Sequence, residues 1–576
     1  MLTAVRESVP LKRKAIEDVI ETLQVDVASV ADPKTKTILS GLLNLVEALY
    51  SENESLREEN QQLEDEINRL KGEQGKPNIK GRHKKDASDH SSEKERQTGK
   101  GDEENNKKRR QRDAKLPKVA IDREQVCPID KDVLPKDAKF KGYSDIVIQD
   151  IKIATDNVKY RREVYYSPSQ KKSFIGQLPA DVAGKGEFGV GIRSLIPLLK
   201  SECNLSESCI LDFFQNFGIE ISSAYISNQW TKGATDFYRE KIDIIEAGLT
   251  STTYQQVDDT GARVSGENHY TQILCNPFYS AYFTVPHKDR LTVLDVIRNF
   301  APRQYLYNFL AISLLEDFHL SKKMRKAVDQ QLVKDTFFNK ESFDSLLDAI
   351  KPGPQQRIRI EEACAIAAYR EQTAIPAVEI LLCDDAPQFK LLTQHIALCW
   401  IHDGRHYKKL RPVAPQHKKA LDEFLTQYWL FYHRLKDYKE TPDRKQAANL
   451  SQAFDTLFST KTDYQQLDER IAKTRAKREA LLLVLDHPEL PLHNNASELA
   501  ARVQARKRDV SLHTMSEAGT KAKDTFMTIS QTAKKLGVRT YEYIRDRISG
   551  ELKLPSLAQL IREKSLDYEA MNESVP

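Results

Sequence analysis

TTYQQVDDTGARVSGENHYTQILCNPFYSAYFTV, residues 252–285, decides the fold. Its β-branched and aromatic residues fall in short runs broken by turn formers, which reads as successive strands. TTYQQV is the first strand, and its end delivers Asp258. RVSGENHYTQILCN and YSAYFTV follow as two more strands joined at Asn276-Pro277. Working outward, a long helical stretch from about 289 to 376 precedes the buried strand AVEILLC, which delivers Asp384. A further apolar strand, IALCWI, leads into His402, and a second helical region runs from about 416 to 486. After the punctuation HPELPLHNN a helix starts near Ala496 and carries Glu498 in its first turn.

Three strands in meander, a helical segment, two more strands and a closing helix is the order of a ribonuclease-H-like core. The expected fold class is therefore a multidomain α+β/α/β chain built on that core, with helical insertions at about 289–376 and 416–486. In such a topology the ends of the first and fourth strands lie side by side and the last helix crosses them. Asp258, Asp384 and Glu498 then face one another. Three carboxylates suit two hard divalent cations, Mg²⁺ or Mn²⁺, which prefer oxygen ligands. That is the equipment for cutting and joining phosphodiester bonds by two-metal catalysis. Each motif also has a plainer reading: Asp-Asp doublets form turns, and a Glu in a first helical turn answers the helix dipole. Asp259 and Asp385 compete with their neighbours for the metal role, while His402 reads as a buried strand histidine rather than a ligand.

The rest of the chain suggests how such a site is brought to its substrate. Over 39–70 a heptad places Leu39, Val46, Asn53, Asn60 and Ile67 at position a, and Leu42, Leu49, Leu56, Leu63 and Leu70 at position d. Leu at every d with Asn at two a positions favours a parallel two-stranded coil over one amphipathic helix packed on its own domain, so 37–73 is expected to make a homodimer or a higher synaptic oligomer. Residues 1–36 form a helical segment before it, and 74–118 carry no apolar period and read as a disordered linker. That linker ends in a basic cluster with Lys108, Arg109 and Arg110, suited to phosphates. Residues 119–183, with the β-branched and aromatic runs YSDIVIQDIKI and VKYRREVYY, suggest a small strand-rich module. In 184–247, LSESCILDFFQNFGIEISSAYISNQW reads as a helix, a turn at Gly218 and a second helix capped by Ser222 or Ser223, the outline of a helix-turn-helix. Residues 248–515 would be the catalytic unit and 516–576 a helical tail. Arg405 and Lys408 follow the second carboxylate; Arg502, Arg506 and Lys507 follow the third, where they would hold double-stranded DNA or merely balance Glu498.

Composition agrees with an interior, nucleic-acid-facing protein. The 576 residues suggest roughly three or four domains. They are 40% hydrophobic and 30% charged with net charge +4, and no run is apolar enough for a membrane span or signal core. Seven scattered cysteines lack C-x-x-C pairing, which argues against disulfides or structural zinc. The expected location is cytoplasmic, on the nucleoid of a prokaryote.

LCDDAPQF, CWIHDGRHYKKL, HNNASELAARVQARKR and SEAGTKAKDTFMTISQTAKKLGV together resemble the transposases of the insertion sequence 66 family. The resemblance implies a DDE site at Asp258, Asp384 and Glu498, basic DNA contacts at Arg502, Arg506 and Lys507, and accessory proteins of the element as further candidate partners. It implies a DNA transposase that binds element ends and performs strand cleavage and transfer. An inactive DNA-binding relative and a nuclease that cuts without joining are the alternatives. Three departures stand out. His493 occupies a position where the family usually has Asp, and only Cys127 remains of the family's zinc module. The spacing between the two Asp residues is long, consistent with an insertion.

Overall fold

The computed structural model describes residues 31–70, 121–130, 134–135, 138–151, 153–179, 186–373 and 376–573. Residues 1–30 of the expected segment 1–36, the linker 74–118 and its Lys108, Arg109 and Arg110 lie outside the described residues.

Helix α1 spans Pro33–Leu70. Its d-position leucines Leu42, Leu49, Leu56 and Leu63 are 52–56% exposed, leaving a row of apolar surface open along the helix. Among the described residues of 119–183, regular structure is limited to the hairpin of β1 (Val164–Ser167) and β2 (Lys172–Ile175). The strand expected over YSDIVIQDIKI does not form among the described residues, and Ile146 and Ile148 stay more than four-fifths exposed. β-propensity alone cannot hold a strand without a neighbour and a face to bury.

Three helices follow, α2 (Val190–Ser201), α3 (Glu207–Asn216) and α4 (Ser223–Thr231). Ser206 and Ser222 cap α3 and α4 by accepting from Cys209 N and Tyr225 N. Gly218 turns the chain between them at φ +70°, a conformation costly for other residues. Ile196, Ile210, Phe214 and Ile226 form a core shared by the three helices.

Helix α5 (Thr235–Leu249) delivers the chain to the central sheet. A Cβ on Gly248 would lie 2.5 Å from the Tyr279 ring, so only glycine lets helix and sheet approach this closely. The sheet order is β5 (Ser280–Val285), β4 (Glu267–Cys275), β3 (Tyr254–Val264), β8 (Ile380–Cys383), β9 (His395–Leu398). The first three are an antiparallel meander, while β8 and β9 run parallel to β3. The first strand differs from expectation: β3 runs past Asp258 to Val264 and turns at Ser265-Gly266, both at positive φ, a two-residue hairpin.

The first insertion holds α6 (Arg290–Ile297), β6 (Tyr305–Leu306), α7 (Phe309–Asp317), α8 (Lys322–Gln331), β7 (Phe337–Phe338), α9 (Lys340–Ile350) and α10 (Pro354–Glu371). It is not purely helical, because β6 pairs with β7. After β9 the chain enters α11 (Trp400–Lys408), so IALCWI is half strand and half helix, and His402 stands on a helix. The second insertion comprises α12 (Pro415–Glu440), α13 (Arg444–Leu457), α14 (Gln465–Arg475) and α15 (Arg478–Leu482). Then come α16 (Asn495–Asp509), α17 (Glu517–Leu536), α18 (Thr540–Ser549) and α19 (Leu557–Glu573).

The C-terminal helices are no tail. Helix α17 lies along edge strand β5, where Ser280 N, Tyr282 N and Thr284 N donate to Thr532 Oγ1, Thr528 Oγ1 and Asp524 Oδ2 at 3.2, 3.2 and 2.6 Å. Two strand residues rise about 6.7 Å and four helix residues about 6 Å, so the two ladders stay in step. An edge that would otherwise offer free N–H groups is closed. Among the described residues no helix is long and apolar enough to cross a membrane.

Candidate active site

The sheet register brings the first two carboxylates together. β3 and β8 pair as far as Gln256 with Leu382. Two residues further along each strand stand Asp258 and Asp384, so they are neighbours just beyond the parallel ladder. Asp258 remains inside β3, opposite Ile273 of β4, rather than at a strand end. Asp384 follows the last residue of β8, and its Oδ1 accepts from Ala386 N at 3.1 Å, which holds the turn.

Glu498 arrives from α16, and the asparagine at that helix's start anchors it. Asn494 is buried; its Nδ2 donates to Val257 O at 2.7 Å, and its N–H meets Cys399 Sγ at 3.3 Å. One residue thus ties α16 through its side chain to the residue before Asp258 and through its backbone N–H to the residue following β9. Tyr282 OH donates to Ala500 O at 3.1 Å, fixing the next turn against β5. The Asn-Asn pair was visible in the sequence, but this anchoring role was not, because it depends on which backbone carbonyl the asparagine reaches.

The Asp258 carboxyl feels the charge of both other carboxylates. Burial lifts the Asp258 carboxyl to about 7; the Asp259 N–H opposes this, and the charges of Asp384, Asp259 and Glu498 add to it. Burial also lowers the His402 imidazole, with Glu498 pulling it up and Arg405 pushing it down. Glu498 Oε2 lies 3.3 Å from Arg405 Nη2, and its Oε1 lies 3.6 Å from His402 Nδ1. Arg405 Nη1 in turn stands 3.0 Å from His402 Nε2. Among the described residues no group of three His, Cys, Asp or Glu side chains is arranged to hold a metal ion. Glu498 is instead turned to Arg405.

The neighbouring aspartates have other partners. Asp259 Oδ2 accepts from Gln388 Nε2 at 2.8 Å, and Lys288 Nζ lies 3.5 Å from its Oδ1. Asp385 is held by Lys477 at 2.6 Å and Lys390 at 2.9 Å. Burial pushes its carboxyl up, yet hydrogen bonds and charge from these lysines leave it below the usual range. Lys477 also reaches Asp403 at 3.5 Å, a buried carboxylate that accepts from Thr474 Oγ1 at 2.8 Å and is paired with Arg470. A cleft of about 450 Å³ opens beside Asp384, lined among others by His402, Arg405, His406 and Lys409. A pocket of about 530 Å³ in the first insertion, beside Asp295 and Arg303, includes none of the three carboxylates.

Of the expected DNA-contacting cations, Arg405, Lys408 and Arg506 are exposed and Arg502 is half-buried. Lys507 must be corrected. It is 2% exposed and donates to Lys200 O, Ser201 O and Asn204 Oδ1 at 3.1, 2.8 and 2.8 Å, closing the C-terminus of α2. Burial, with the charges of Lys523 and Lys200, brings its ammonium down to about 7. On α16 it faces the protein while Arg506 beside it faces out.

Comparison with known proteins supports a transposase-type enzyme. The Transposase IS66 family model matches residues 369–522, a stretch containing Asp384 and Glu498. The chain belongs to that family. It is also similar to "Uncharacterized protein y4jO" of Sinorhizobium fredii, with 31% identity over 328 residues, 56% of this chain and 100% of that protein. No solved structure matches.

Proposed function

We propose that this chain is a DNA transposase that binds the ends of an insertion sequence and cleaves and joins strands at Asp258, Asp384 and Glu498. The observation that carries the reading is the register of β3 and β8, which makes Asp258 and Asp384 neighbours while Asn494 holds the Glu498 helix over them. The strand order, meander plus two parallel strands, supports a ribonuclease-H-like core.

The donor set fits hard divalent cations: three carboxylates, one of them held near neutrality by burial and by the charge of the others. Asp258, Asp384 and Glu498 would hold Mg²⁺ or Mn²⁺. When bound, such ions supply activation of the attacking oxygen and stabilisation of the leaving oxygen. The chain's own residues do the rest. Arg405 partly neutralises Glu498. Lys477 and Lys390 hold Asp385 away from the reacting centre and so aim the Asp384 turn. Arg405, Lys408, Arg502 and Arg506 offer cations for the phosphates of an element end. The exposed leucines of α1 would join two copies so that both ends are held in one complex.

The test is strand transfer from pre-cut element ends into a target plasmid. Joined product supports a transposase. Cleavage of intact ends without joining makes the chain a nuclease, and end binding with neither activity makes it an inactive relative.

A further inference from the structure

The zipper helix has two working faces, and only one points outward. Leu39, Leu43, Glu47 and Tyr50 recur along one stripe of α1, while the exposed leucines lie about 100° round the helix. The first stripe docks on the second insertion. Glu47 is 3% exposed, and its carboxylate accepts from Val413 N at 2.7 Å and Ala414 N at 2.8 Å, the free amides at the start of α12. His417 Nδ1 lies 3.2 Å from the same carboxylate, and Leu43 packs on Ala414. One turn away, Asn44 Nδ2 donates to Asp463 O and its Oδ1 accepts from Gln465 N, both at 2.9 Å, at the start of α14. A single helix therefore caps two others, with a buried acid where the helix dipole favours negative charge.

Helix α14 continues from that contact to the active site. Its first residue bonds Asn44; further along, Arg470 pairs with Asp403 and Thr474 donates to it. Just past the helix, Lys477 bridges Asp403 and Asp385, next to Asp384.

We infer that α1 is a strut rather than a tether: Glu47 and Asn44 lock it to the catalytic body, so that a second copy seated on Leu42, Leu49, Leu56 and Leu63 sets the placement of both active sites. The occupant is a second copy of this chain because the outward face carries an unbroken leucine heptad with Asn53 and Asn60 at a positions, which pair best with themselves in register. Dimerisation without docking would leave each body loose on a chain. Docking makes the coil's orientation a property of the body, and lets one paired complex act on two ends together. The inference rests on the zipper dimer proposed above.

The experiment uses the full chain with three arms: amide exchange, sedimentation mass and cleavage of DNA carrying one or two element ends. In Glu47→Ala combined with Asn44→Ala, exchange at Val413, Ala414 and Gln465 should rise about tenfold or more. Mass should stay dimeric, and paired-end cutting should fall about tenfold while single-end cutting holds. In Leu56→Pro combined with Leu63→Pro, beyond the docked stripe, mass should become monomeric while those amides stay protected. Unchanged exchange in the first variant, loss of its dimer, or unprotected amides in the second overturns the strut. A monomeric wild type sinks the dimer reading and the inference with it, whereas a dimeric, protected but uncutting wild type sinks only the transposase reading.

Discussion

Asp258→Asn should make the protein more stable at alkaline pH while making it inactive. The Asp258 carboxyl stands at about 7, against 3.8 for an unstrained aspartate, because burial and then the nearby carboxylates disfavour its charge. As pH climbs, the unfolded chain loses this proton near 3.8 while the folded chain keeps it to about 7. Stability therefore falls through that window and stays low above it. At about 1.4 kcal/mol per pH unit the full penalty at pH 8 is about 4 kcal/mol. Partial contact with water and local relaxation reduce this to about 2 kcal/mol. Asparagine cannot ionise, so the variant should melt about 2–4 °C above the wild type at pH 8 in EDTA. The gap should shrink by pH 5. Adding Mg²⁺ at pH 8 should raise the wild-type melting temperature more than the variant's, because binding to the folded state stabilises it. A variant that melts below wild type at pH 8, or a gap indifferent to pH, would refute the electrostatic account of the site.

Asp385→Asn should retain most cleavage but lower the melting temperature, because Lys477 and Lys390 lose their shared partner; thermal melts and single-turnover cleavage separate the two effects. Neutralising Arg405, Arg502 and Arg506 together should weaken end binding and flatten its salt dependence by about three released counterions, measured by titration at several salt concentrations. Lys507→Ala should instead destabilise the chain by about 1–3 kcal/mol, since three acceptors at the end of α2 lose a buried donor, with a largely unchanged salt slope. Leu56→Pro with Leu63→Pro should yield monomers in sedimentation, while an unchanged mass would remove the zipper from the account.

The legible part of this chain was the part governed by period and punctuation. The meander of 252–285, the strand before Asp384 and the helix bearing Glu498 could all be placed because apolar runs and turn residues mark them. What periodicity cannot show is where a strand stops pairing. β3 runs on past Asp258 because β4 continues to partner it to Val264, although β8 does not. IALCWI changes from strand to helix at Cys399, and the whole run is apolar because both halves are buried. YSDIVIQDIKI has strand chemistry and lacks a neighbour. Lys507 sits in a basic run with Arg506 and Arg508, and nothing in its neighbours' identities marks it as the one that turns inward. Asn494, Glu47 and Asn44 carry roles set by backbone atoms on distant elements, which no local reading reaches.

Cleavage of an end-labelled element-end duplex in Mg²⁺, by wild type, Asp258→Asn, Asp384→Asn and Glu498→Gln, tests the three-carboxylate site most directly. Each amide keeps the size of the side chain and removes the anionic charge, so each variant should bind the duplex as wild type does. Each should lose cleavage by about a thousandfold or more, the scale of about 4 kcal/mol of transition-state stabilisation. Wild-type cleavage by any one of the three would contradict the claim that these carboxylates form a single reacting centre.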